Sequence, residues 1–364
     1  MTTNSRIPIA LALAVGLGLT GCTAAEPEPE AAPPAATSTD PDCPPEGNLT
    51  YVCGVQNPED LLMLGDTGSI LVSGMSGQGI VGHLYLVDPA DDSLTELFPG
   101  ASPAINLDAE TFPGCPGPLN VDNYSAHGLA LRETGANQFD LYITSHGERE
   151  AIEVFSLDAS GPAPTAAWRG CVVLPDNTFA NSVAILSDGG FVTTKMMDPA
   201  AGFASINAGG ITGNVYEWHP GGEVFMMEGT ELSGANGIAV SPDDRYVYVA
   251  AFGTREIVRF DRSESPAART TVSVDIVPDN IRWSDEAGKL LTAGGNYVSP
   301  DECQGQDCAT GWSVVEIDAE TMEVQRIGGA DQDVAIQGVS SALAVGDDLW
   351  VGTFNGDRVA YFPR

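Results

Sequence analysis

Six polar residues each stand at the head of a short apolar run: Glu59 before Asp60-Leu61-Leu62, His127 before Gly128-Leu129-Ala130, Asn181 before Ser182-Val183-Ala184, Asn236 before Gly237-Ile238-Ala239, Asp279 before Asn280-Ile281, and Ser340 before Ser341-Ala342-Leu343. If the runs lie side by side, these residues form a ring of two carboxylates, two amides, an imidazole and a hydroxyl. Burying that much polarity without a partner is very costly, so a cation is expected among them. Carboxylate and amide oxygens, without thiolates or several imidazoles, suit a hard ion such as calcium better than zinc. His127 sits in the ring and His146 closes the following run at the same face, close enough in sequence for His146 to orient His127 as a base for water. Asp279 is the other candidate base, but a cation beside it would hold its pKa low and make it a poor one.

The elements that must position these groups are legible from repetition. The clearest unit runs from Gly234 to Phe252: a polar pair, a short apolar strand at Ile238 to Ser241, a Pro242-Asp243-Asp244 turn, and a second strand rich in β-branched and aromatic residues at Tyr246 to Ala251. Its copies start about 43 to 68 residues apart, which brackets a four-stranded propeller blade with insertions. The expected fold is all-β, a six-bladed β-propeller with a central metal site. The last copy runs out of chain after three strands, and Leu49 to Val52 is expected to supply the fourth, closing the ring between the termini. In such a fold the first strand of each blade leaves one mouth of the channel and the second returns to it. The ends of the second strands then add Met75, His146, Lys195, Phe252, Asn296 and Phe354 around the polar ring, a partly apolar pocket. Long connections at Phe98 to Ala126, Pro199 to Thr212 and Tyr297 to Thr310 mark the same face as the binding side.

Asn57-Pro58-Glu59-Asp60, Ser125-Ala126-His127-Gly128-Leu129, Ala180-Asn181-Ser182-Val183, Gly234-Ala235-Asn236-Gly237-Ile238 and Val277-Pro278-Asp279-Asn280 together resemble the paraoxonase/arylesterase family, in matching order from about Gly54 to Phe362. The senescence marker protein/gluconolactonase and strictosidine synthase groups share that propeller. The resemblance implies a calcium-dependent hydrolase of lactones and aryl esters, with the catalytic ion held by Glu59, Asn181, Asn236, Asp279 and Asn280. Five protein ligands also favour calcium over magnesium. A second, structural ion would use Asp60 and the carbonyl of Leu129, but Ser182 stands where the family has an Asp, so that ion is left open. The alternative to an enzyme is a catalytically silent, metal-bound propeller that takes a small ligand or a partner protein through the same face.

The amino terminus has one early Arg6, an apolar run from Ile7 to Leu19, and Leu19-Thr20-Gly21-Cys22, which resembles the bacterial lipobox. Residues 1–21 are therefore expected to be a lipoprotein signal peptide. The Ala-, Pro- and Glu-rich stretch 22–42 is expected to be a lipidated, disordered tether, and 43–364 the propeller. The chain would be exported and anchored to a bacterial membrane through lipid on Cys22. The absence of Asp after Cys22 points to outer-membrane delivery, on the periplasmic side or at the cell surface. In an exported chain the remaining cysteines are expected as disulfides, with proximity favouring Cys43 with Cys53, Cys115 with Cys171, and Cys303 with Cys308. A net charge of −35, with Lys195 and Lys289 the only lysines, argues against nucleic-acid binding. A monomer acting on a small lactone or ester is the expected form. The anchoring is checked by Cys22→Ser: incorporation of a fatty-acid probe should be abolished, and unchanged labelling would remove the lipobox reading.

Overall fold

The computed structural model describes residues 43–77, 79–100, 104–161, 163–297 and 311–364. The signal peptide, the tether, Cys22, Cys303 and Cys308 lie outside them. The strands form six sheets, antiparallel except for one short parallel pair in the second. Blade 1 is Pro58–Met63, Ile70–Gly74, His83–Asp88 and Ser93–Phe98, and blade 2 is Tyr124–Gly135, Gln138–Gly147, Ala151–Asp158 and Thr165–Val173. Blade 3 comprises Phe179–Ile185, Phe191–Met197, Asn214–Trp218 and Phe225–Met226, and blade 4 comprises Ala235–Val240, Tyr246–Ala251, Glu256–Asp261 and Ala268–Ser273. Blade 5 is Ile276–Trp283, Lys289–Asn296, Trp312–Asp318 and Val324–Ala330. Blade 6 takes Val339–Val345, Asp348–Thr353 and Arg358–Pro363 from the end of the chain, and its outer strand, Thr50–Cys53, from the beginning.

That closure pairs Thr50 with Tyr361 and Cys53 with Arg358, one residue further along than the sequence suggested. It covers an edge that would otherwise offer unpaired backbone groups. The Cys43–Cys53 disulfide holds the added strand in place. Because each blade packs both faces against neighbours, its middle strands are apolar on both sides rather than alternating, and the core divides into six wedges. Leu71, Leu86 and Phe98 of blade 1 meet Leu129, Leu141 and Phe155 of blade 2 in one wedge. Leu291 and Trp312 of blade 5 meet Val351 and Phe362 of blade 6 in another. Leu61 and Val72 meet Trp350 and Val359 across the closure itself. Full burial of such side chains contributes about 1.5–3 kcal/mol each, so every wedge holds the ring shut.

The six polar residues do not head their strands as the repeat suggested; they sit inside them, at a break in register. Pairing of the first and second strands slips between Pro58 and Asp60, between Ala126 and Leu129, and between Ala180 and Val183. It slips again between Ala235 and Ile238, between Pro278 and Ile281, and between Val339 and Ser341. A β-bulge leaves its extra residue out of the ladder and re-aims its side chain. Six bulges at one level therefore turn Glu59, His127, Asn181, Asn236, Asp279 and Ser340 toward the axis. Gly128 and Gly237 follow two of them because the neighbouring strand passes too close for a side chain. A Cβ on Gly128 would lie 2.6 Å from the carbonyl oxygen of Asn181, and one on Gly237 would strike the carbonyl of Asp279.

Blade 2 departs from the pattern. The link from blade 1 adds a fifth strand, Ala104–Ile105, parallel to Ala167 and Trp168, and Cys115 of the same link is bonded to Cys171 of the blade's outer strand. That bond closes a loop with a sequence separation of 56. Replacing both cysteines by Ser should lower stability by about 2–4 kcal/mol, the usual cost of releasing such a loop, as read by chemical denaturation.

Candidate functional site

At the level of the bulges, the polar side chains are almost wholly buried, with Glu59 at 0% exposure and Asp279 at 7%. Their hydrogen bonds run around the ring. The Asn280 amide nitrogen donates to Glu59 Oε1 at 2.7 Å, Asn181 donates to His127 Nε2 at 3.3 Å, Asn236 bonds to the Asp279 carboxylate, and Ser340 Oγ donates to the carbonyl of Glu59 at 2.7 Å. With its nitrogen so used, each amide keeps an oxygen in hand. The result is five buried oxygens without a partner: Glu59 Oε2, Asn181 Oδ1, Asn236 Oδ1, Asp279 Oδ1 and Asn280 Oδ1. At about 1–3 kcal/mol per buried polar group left unpaired, this set alone would offset much of the 5–15 kcal/mol that a domain has in net stability.

The electrostatics point the same way. Burial first, and then the neighbouring Glu59 carboxylate, push Asp279 well above the usual carboxylate range. Burial pulls His127 down, but the negative charge of Glu59, 3.5 Å from its Nε2, with Asp279 and Glu150 beyond it, outweighs this and moves it upward. Both shifts describe a ring short of positive charge. Its oxygens are two carboxylates and three amides, the hard donors that calcium takes. Among the described residues, no group of three or more His, Cys, Asp or Glu side chains could hold a metal by itself. The amides are thus needed to complete the set.

His127 and His146 meet as the spacing suggested, with His127 Nδ1 at 2.6 Å from His146 Nε2. Two further residues complete this corner that sequence reasoning did not single out. Glu150, in the turn after His146, places its carboxylate 2.9 and 3.0 Å from His146 Nδ1, and accepts the Ala180 N–H at 2.5 Å. Phe179 stacks flat on His146, centroids 4.5 Å apart with the planes 1° from parallel. The only signal for Glu150 was its four-residue offset from His146, within a run of charged residues that reads as a solvated turn. His219 lies outside the site between Asp188 and Glu217, at 2.6 and 2.8 Å, and His83 is 3.8 Å from Glu96.

Asp60 and Leu129, the residues associated with a second ion, are engaged differently. Asp60 is fully buried, and both of its oxygens face the guanidinium of Arg282, one at 3.1 Å from Nε and the other in closer contact with Nη2. Leu129 contributes its N–H, which donates to Asp60 Oδ2 at 2.7 Å, rather than its carbonyl. Burial draws Arg282 down to about 10, which leaves it charged at neutral pH. The Asp60 carboxylate is thus already engaged by a guanidinium and a backbone N–H.

The outer ring is less uniform. Met75, Lys195, Phe252 and Asn296 are half-buried and Phe354 is 49% exposed. Phe252 packs with Met196, Met197 and Ile206, and Asn296 Oδ1 accepts from Ser313 at 2.5 Å, so both lean on the scaffold. A cavity of about 290 Å³ opens instead beside His146, walled by Pro116 to Asn120 of the long link, Tyr124 and Arg149. A wider one, about 690 Å³, lies where the first strands end at the other mouth, among Leu62, Leu131, Ile185 and Trp283. It contains none of the ring oxygens.

Residues 81–300 match the family model described as the SMP-30/gluconolactonase/LRE-like region. The match takes in His127, His146, Asn181, Asn236, Asp279 and Asn280, and begins after Glu59 and Asp60. No curated protein matches the chain. Among solved structures, a catalytically inactive virginiamycin B lyase from Staphylococcus aureus with quinupristin is 12% identical, covering 87% of this chain and 99% of that one, with a TM-score of 0.49. The PQQ-bound aldose sugar dehydrogenase of Streptomyces coelicolor is 15% identical, covering 88% and 99%, with a TM-score of 0.48. At these values neither carries a functional argument.

Removing one partner of a buried ion pair strands the other, at about 3–5 kcal/mol. Asp60→Leu should therefore lower stability by that amount in chemical denaturation, and Asp60→Leu combined with Arg282→Leu should recover most of the loss.

Proposed function

The chain belongs to the SMP-30/gluconolactonase/LRE-like family, and we propose that within it this protein is a calcium-dependent hydrolase of lactones and aryl esters, of the paraoxonase kind. The reading is carried by one observation: five unpartnered buried oxygens share a ring with an imidazole that a second imidazole holds in place. Glu59, Asn181, Asn236, Asp279 and Asn280 would hold the ion. Bound calcium supplies a Lewis acid for the ester carbonyl and positive charge for the oxyanion.

The chain's own groups account for the rest. His127 presents Nε2 to the ring, 3.5 Å from Glu59 Oε1, and takes the proton of the attacking water. His146 keeps the His127 ring from turning. Asp279 serves as a ligand rather than as the base, because a carboxylate beside a cation is weakly basic. The cavity beside His146 receives one side of the substrate, its Pro116 to Leu119 wall excluding water. Two disulfides among the described residues support an exported enzyme.

The test is a panel of lactones and aryl acetates assayed with and without chelator, alongside calorimetric titration of calcium. Glu59→Gln should weaken calcium binding and abolish turnover with the fold kept. His127→Gln should lower turnover by about 10²-fold or more, the usual contribution of a general base, with calcium affinity near wild type. Full turnover in metal-free protein would sink the calcium mechanism. Calcium binding without turnover on any ester would favour a ligand-binding propeller.

A further inference from the structure

We propose that Glu150 is a positioning residue that sets the tautomers of both histidines and thereby aims a lone pair of His127 at the ring. Its catalytic meaning rests on the hydrolase reading; the tautomers themselves do not.

Glu150 Oε1 already accepts the backbone N–H of Ala180, and both carboxylate oxygens lie within 3.0 Å of His146 Nδ1. An ionised carboxylate has acceptors only, so His146 Nδ1 carries a proton. The contact of 2.6 Å between His146 Nε2 and His127 Nδ1 needs one donor and one lone pair. If His146 were the donor it would be an imidazolium, and His127, accepting at Nδ1, would carry its own proton on Nε2. The residues facing Nε2 decide against that. Asn181 brings an amide nitrogen, a donor, to 3.3 Å, whereas the nearest oxygen that could accept a proton, Glu59 Oε1, is 3.5 Å away and already accepts the Asn280 amide at 2.7 Å. Nε2 of His127 is therefore the acceptor, His127 Nδ1 holds the proton, and His146 Nε2 receives it. The same orientation of Asn181 leaves its oxygen facing the ring, so the two ends of the chain agree.

Glu150 also joins this relay to the ring mechanically. Phe179, Ala180 and Asn181 are consecutive: Phe179 stacks on His146, Ala180 donates to Glu150, and Asn181 donates to His127. One carboxylate thus fixes the imidazole plane, its protonated nitrogen and the strand that carries a ring oxygen. Charge alone would not do this, since the effect depends on acceptors at two defined places.

The test is nitrogen-15 NMR of the full chain with labelled histidine, assigned through His127→Gln and His146→Gln, together with lactone kinetics. Both rings should show the Nδ1–H form in wild-type protein; an Nε2–H form at His127 would overturn the proposal without any Glu150 variant. In Glu150→Ala, His146 should lose its Nδ1–H preference and kcat should fall about 10–100-fold, by analogy with the loss of a carboxylate that orients a metal-ligating histidine, with KM little changed. Glu150→Gln, whose single amide oxygen must serve both the Ala180 N–H and His146 Nδ1–H, should fall between wild type and Glu150→Ala in both properties. Wild-type tautomers in Glu150→Ala would overturn the proposal even if kcat fell, because the fall would then be structural. The expected tautomers in a protein that hydrolyses no ester would uphold the positioning and defeat only the hydrolase reading.

Discussion

Buried acid on the propeller axis is the constraint from which most of this structure follows. Three carboxylates, Glu59, Asp60 and Asp279, are carried into the channel with almost no contact with water. Ionised carboxylates in such a place need positive charge or donors close by. The chain answers in two ways at adjacent positions. For Asp60 it brings its own cation, the guanidinium of Arg282, from a strand 222 residues away in sequence. For Glu59 and Asp279 it supplies the imidazole of His127 and amides, the amides turned so that their nitrogens are used within the ring and their oxygens are not. The first arrangement is closed, whereas the second leaves five buried oxygens without a partner.

The contrast separates stability from function along one axis. A guanidinium paired with one carboxylate balances charge for charge. The oxygen-rich ring lies at the mouth where His127, His146 and the cavity walled by the blade 1 to blade 2 link are found. A net charge of −35 over the whole chain adds a general field that draws cations toward such a site.

Geometry supplies what composition could not. A regular strand would give each ring residue a partner across the ladder and point it at a neighbouring blade. The bulge in each first strand releases it toward the axis, and the glycines after His127 and Asn236 let adjacent strands approach closely enough for the side chains to bond to one another. Closure of the last blade by Thr50–Cys53, and the six apolar wedges, keep the six bulges at one level. The geometry of the ring at the centre thus depends on packing at the periphery.

Much of this is local and therefore legible in the chain itself. The strand–turn–strand unit around Asn236, its recurrence, and the polar residue before each apolar run all depend on neighbours in sequence, so blade number, the closing strand, the Cys43–Cys53 and Cys115–Cys171 pairs and the ring membership could be read directly. The meeting of His127 with His146 could also be read, because adjacent strands of one blade bring them together. Three features could not. A bulge adds one residue to one strand and leaves no compositional trace. Glu150 lies in a turn whose Glu148-Arg149-Glu150 run has the composition of an exposed loop, and only folding places Phe179 and Ala180 against it. Arg282 reads as an ordinary strand residue until ring closure sets its blade beside Asp60. Hydrophobic period and turn chemistry are written residue by residue, whereas the partner of a buried charge is chosen by which distant strands the closed ring makes neighbours.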